Sequence, residues 1–64
     1  MKGCWIHFSY DGAPYLITAW ALEIDALRAL NQVGYGSVCF LPWGMELREA
    51  VLTPVATKEE VPVE

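Results

Sequence analysis

The chain has 64 residues, carries a formal net charge of −4 and is 55% hydrophobic. That length allows one domain with little interior. Its four cations, Lys2, Arg28, Arg48 and Lys58, form no cluster, which excludes a phosphate-binding surface for nucleic acid.

Two cysteines, Cys4 and Cys39, permit one disulfide, fewer than a disulfide-stapled secreted domain uses. With His7 they fall short of a four-ligand zinc site and are spread along the chain, so no metal and no cofactor are expected. The start, Met1-Lys2-Gly3, passes straight into alternating residues without the apolar run of a signal peptide. No apolar stretch reaches the roughly 18 residues of a membrane span. The expected setting is cytoplasmic, with reduced thiols.

Three tryptophans, Trp5, Trp20 and Trp43, are a large apolar load for so short a chain. A core this small has no room for all of it, and the excess is expected to face a partner, most simply a second copy.

In chain order, Cys4 to Tyr10 is aromatic and β-branched and predicts a strand. Cys4, Ile6, Phe8 and Tyr10 form an apolar face, while Trp5, His7 and Ser9 form a mixed one. Asp11-Gly12-Ala13-Pro14 is turn chemistry, and Tyr15 to Ala19 predicts a second strand, closing a hairpin. Pairing through this turn brings Trp5 and Trp20 towards one another, subject to the loop register.

From about Ala21 the period changes. Ala26, Leu27, Leu30 and Val33 recur at helical spacing, with Leu22 or Ile24 extending the stripe. Glu23 and Asp25 suit the positive end of a helix dipole, and Gly34 stands where a left-handed cap belongs. The N-terminus has no good cap side chain, Thr18 being the nearest. Ser37 to Leu41 predicts a third strand ended by Pro42, and Pro42-Trp43-Gly44 a corner. Met45 to Leu52 predicts a short helix with Leu47, Ala50 and Val51 on one side. From Thr53 the composition shifts to Pro, Thr, Val, Lys and Glu, so residues 1–52 are expected to form the domain and 53–64 an acidic tail, extended or disordered.

The order strand, strand, helix, strand, short helix predicts an α+β fold with a three-stranded antiparallel sheet of order 2-1-3, covered on one face by the helix. The other face, carrying Trp5, His7, Trp20 and either Cys39 or Phe40, is expected to stand open as an interface. Trp43, on its corner, is expected to be the most exposed indole.

Catalysis finds little support. Cys4 and His7 stand three apart on a strand and point to opposite faces. Cys39 on the neighbouring strand keeps a Cys–His contact open, but no orienting group or oxyanion site accompanies it. Seven of the eight acidic residues fall in the helices or tail, and at that spacing they read as solvated faces. Gly34-Tyr35-Gly36 precedes a strand rather than a helix, against the dinucleotide-binding pattern. No catalytic residue is assigned.

The segments Tyr10-Asp11-Gly12, Ala26-Leu27-Arg28 and Gly34-Tyr35-Gly36-Ser37-Val38, followed by Pro42-Trp43-Gly44, resemble small uncharacterised proteins of actinobacterial phages, mycobacteriophages especially. The likeness runs over about residues 5 to 47 and leaves out the tail after Thr53. It implies a viral protein made in the cytoplasm of an infected bacterium and acting by binding a host protein, with no catalytic residues to carry over.

The expected function is therefore that of a non-enzymatic, self-associating interaction protein with interface residues Trp5, His7, Trp20 and Trp43. Two alternatives stand beside it. One is a structural homo-oligomer with no other partner. The other is a small-molecule pocket between subunits, lined by Trp5, His7 and Trp20.

Overall fold

Two antiparallel neighbours flank the first strand, and a fourth strand closes the far edge. The computed structural model describes residues 2–59. Strand β1 (Gly3–Tyr10) and β2 (Pro14–Trp20) form the hairpin, helix α1 (Glu23–Val33) follows, and β3 (Gly36–Pro42) returns beside β1. A single-turn helix α2 (Leu47–Ala50) and a three-residue strand β4 (Ala56–Lys58) are the last elements among the described residues. The sheet order is β2-β1-β3-β4, antiparallel throughout.

The three-strand expectation is corrected here to four strands. The peptide N–H of Val55 donates to the Val38 carbonyl at 2.8 Å, and the Ser37 and Thr57 hydroxyls meet at 3.0 Å. Ala56 joins the buried cluster of Ala26, Leu30 and Val38. A strand of three residues has no room to show an alternating pattern, and its pairing comes from β3 rather than from its own propensity. The folded unit thus extends past Leu52 to Lys58, while the end of the acidic tail lies outside the described residues.

Helix α1 ends at Gly34, whose φ is 90° and whose N–H donates to the Leu30 carbonyl. Its start is Leu22, with no side-chain cap; the Thr18 hydroxyl instead accepts the Trp20 Nε1–H at 2.7 Å. The buried stripe is Ala26, Ala29 and Leu30, whereas Leu22, Ile24 and Val33 are exposed. The stripe is therefore narrower and built of smaller residues than the sequence pattern suggests.

Two small cores lie on opposite sides of the sheet. On one side α1 packs Ala26 and Leu30 over Val38, with Trp5 and Leu27 partly buried against them. On the other, α2 and its neighbour bring Ala50 and Val51 over Ile6, Phe8 and Cys39, with Cys4, Leu41 and Leu47 packed alongside. The helix thus covers the side carrying Trp5, His7 and Trp20, which the sequence reading left open. Strands β2 and β3 run parallel on either side of β1, so β2–α1–β3 is a crossover connection. The hand of such a crossover fixes the side its helix occupies.

Candidate interaction surface

Strand register sets the geometry of the predicted interface residues. Trp5 pairs with Trp20 on β2 and with Phe40 on β3. Paired residues of an antiparallel sheet share a side, so Trp20, Trp5 and Phe40 form one aromatic row across three strands. The Trp5 and Phe40 rings pack edge to face, with centroids 5.1 Å apart and an interplanar angle of 61°. Trp5 and Phe40 are half-buried, and Trp20 is 36% exposed. Its indole is held along β2 by the bond to Thr18.

Trp43 lies just beyond this row. Gly3 pairs with Pro42, and the Trp43 N–H donates to the Lys2 carbonyl at 2.9 Å. That corner leaves Trp43 64% exposed, the most exposed of the three indoles. Leu22 and Ile24, at the entry to α1 that follows Trp20, add exposed aliphatic surface at the same end of the sheet.

His7 belongs to a different environment. It is fully buried, and its Nε2 lies 2.9 Å from the Tyr35 carbonyl oxygen. A carbonyl only accepts, so Nε2 carries the proton and donates, and Nδ1 is a bare acceptor. That Nδ1 is buried with no hydrogen-bond partner. His7 is therefore an internal side chain of the monomer, withdrawn from any contact surface the tryptophans form. Of the lining expected for a small-molecule pocket, His7 is buried, Trp5 half-buried and Trp20 exposed. A recess of about 240 Å³ lies elsewhere, between Ser9, Tyr35, Ser37, Thr57 and Lys58.

The cysteines separate from His7 as well. Val38, not Cys39, is the residue opposite His7; Cys39 faces Ile6 on the reverse side. A Cys–His pair is thus ruled out by register. Both thiols are free, and burial, reinforced by the nearby Cys4, pushes the Cys39 thiol above its usual range. A thiol held protonated in this way is a poor nucleophile.

The same shift carries a pH dependence. The folded state keeps the Cys39 proton at pH values where the unfolded chain has lost it. Folding stability should accordingly fall as pH rises through the ordinary thiol range towards the raised value. Urea unfolding between neutral and alkaline pH should show this decline, and Cys39→Ala should flatten it relative to the parent chain. An equal slope in both proteins would refute the assignment.

Among the described residues no group of three or more His, Cys, Asp or Glu is placed to hold a metal ion. Asp25 and Arg28 form an exposed ion pair at 3.9 Å, and Glu46 and Arg48 another at 2.5 Å, in keeping with solvated faces. No helix among these residues is long and apolar enough to cross a membrane.

The sequence reading missed Phe40 as a definite member of the row, since β3 alone did not distinguish Phe40 from Cys39. It also missed the β2 edge, where Tyr15, Leu16 and Trp20 are all exposed. Fold and surface together define a small α+β sheet protein with an aromatic row at one end and an apolar open edge. No family model, curated protein or solved structure matches the chain.

Proposed function

We propose that this chain is a non-enzymatic interaction protein that self-associates and, as the phage resemblance implies, engages a bacterial host protein in the cytoplasm. The supporting observation is the aromatic row Trp20–Trp5–Phe40 continuing towards the exposed Trp43 at one end of the sheet. Aromatic side chains, Trp above all, concentrate where binding energy concentrates. Trp20 and Trp43 are left exposed, and only Trp5 packs, half-buried, against a core.

Two measurements test this reading. Light scattering on the concentrated protein should give a mass above the 7.2 kDa of one chain. Affinity capture with the full chain should return one dominant bacterial protein, lost on Trp43→Ala with the melting temperature unchanged. Capture of the chain alone would favour the purely structural homo-oligomer. A single-copy mass at every concentration would remove self-association altogether.

A further inference from the structure

We infer that the open edge of β2 pairs with the same edge of a second copy, antiparallel, about a two-fold axis between Ile17 and Thr18. This rests on the self-association reading above and names the surface responsible. The order β2-β1-β3-β4 leaves two edges. The β4 edge is three residues long, follows Pro54, ends in Lys58 and is followed by Glu59. Short, charged edges of that kind resist strand addition. The β2 edge is seven residues, Pro14–Trp20, without one Asp, Glu, Lys or Arg. On its outer side the main chain has no strand neighbour among the described residues, and a bare backbone edge of this length is satisfied by another strand.

Charge and parity identify that strand. Each chain has a net charge of −4, and β2 holds none of its eight acidic residues, so two copies meet there without opposing carboxylates. Facing residues of an antiparallel pair must also share a side of the sheet.

In β2 the alternation is broken by a bulge at Ile17, the residue left over between Phe8↔Leu16 and His7↔Thr18. Thr18 and Trp20 lie on the α1 side, opposite His7 and Trp5. Leu16 lies on the reverse side, opposite Phe8, and Tyr15 is back on the α1 side, opposite Ser9. An axis between Ile17 and Thr18 sets Tyr15 against Trp20 of the second copy on one side, and Leu16 against its Ala19 on the other. An axis through Ile17 itself would oppose Leu16 to Thr18 from different sides. An axis between Leu16 and Ile17 also matches sides, but it sets Pro14, which has no N–H to donate, against Ala19, so the axis between Ile17 and Thr18 is the better of the two.

All four residues of those pairs are exposed in the single chain. Each copy has one competent edge, so the pairing stops at two copies and gives a continuous eight-stranded sheet with β4 at both ends. A closed isologous contact of this sort does not propagate into fibres.

The register predicts a charge test. Leu16→Lys with Ala19→Lys opposes like charges twice across the axis, and the dimer dissociation constant should rise by about tenfold or more. Leu16→Glu with Ala19→Lys opposes unlike charges at the same places and should keep dimerisation near the parent level. Far-UV circular dichroism checks that both variants fold. In the parent chain, amide hydrogen exchange over Tyr15–Trp20 should slow as concentration rises, which decides the matter even if the doubly charged variant does not fold. A dimer unaffected by the Lys/Lys change, or concentration-independent exchange along β2 in a dimeric protein, would overturn the edge pairing and leave self-association standing on another surface. A single-copy mass at all concentrations would overturn both.

Discussion

Phe8→Ala should cost about 4 kcal/mol of folding stability, the usual range for deleting a buried phenyl ring, and should leave much of the chain unfolded at room temperature. A chain of this length is stabilised by roughly 3–10 kcal/mol in all. Phe8 is 1% exposed and is the largest fully buried side chain. It sits in the cluster with Ile6, Cys39, Ala50 and Val51, and its ring meets that of Tyr10 edge to face with centroids 5.9 Å apart. The helix packed over that cluster, α2, is a single turn and offers little that can collapse into the void. Urea unfolding followed by tryptophan fluorescence measures the loss directly. Phe8→Leu, which keeps most of the volume, should cost much less. A loss below about 2 kcal/mol for the Ala variant would mean that this side of the sheet is not a packed core.

Gly36→Ala is expected to cost about 3 kcal/mol or more, from two sources that add. Gly36 has a φ of 106°, a conformation that burdens any residue with a Cβ by about 1–3 kcal/mol. The added carbon would also fall 2.7 Å from the Phe8 carbonyl oxygen and 2.8 Å from His7 Nε2, and overpacking of that severity typically costs about 1–3 kcal/mol. The imidazole cannot yield without giving up its bond to the Tyr35 carbonyl, which would leave a second buried polar group unpaired. The two sources can be told apart by a double-mutant cycle. His7→Ala is destabilising alone, but combined with Gly36→Ala it removes the side-chain clash and leaves only the backbone one. The pair should therefore cost less than the two single changes summed. Strict additivity would show that the ring does not feel the new methyl group.

These two sites explain one another. Gly36 lies at the start of β3, and the absence of a side chain there lets the His7 ring lie under the backbone and reach Tyr35. In the sequence, Gly34-Tyr35-Gly36 shows only a helix stop and a turn. That His7 is internal depends on a residue 29 positions away that is recognisable as its neighbour only once β1 and β3 are paired.

The elements themselves were legible. The hairpin follows from Asp11-Gly12-Ala13-Pro14 between two β-rich runs, but the pairing of Trp5 with Trp20 does not: the register set at the turn would put Trp5 opposite Ala19, and the bulge at Ile17 moves it on by one residue. Helix α1 and its end at Gly34 follow from the apolar spacing and the glycine. The placement of β1 between β2 and β3 follows from the preference for antiparallel neighbours. The exposure of Trp43 follows from a Pro-Trp-Gly corner that lies between β3 and α2 and belongs to neither.

What the chain alone determined is thus local: periodicity, turn chemistry and the parity of side chains along each strand are all properties of neighbours in sequence. Tertiary structure alone decided which side of the sheet received α1, that His7 is walled in while Trp20 is not, that Ala56–Lys58 joins β3, and that the bulge falls at Ile17. Each of these is set by the hand of a connection or by a contact between distant segments. Neither quantity leaves a trace in the order of apolar and polar residues, because the same alternation fits either side of a sheet equally well until a helix is laid on one of them.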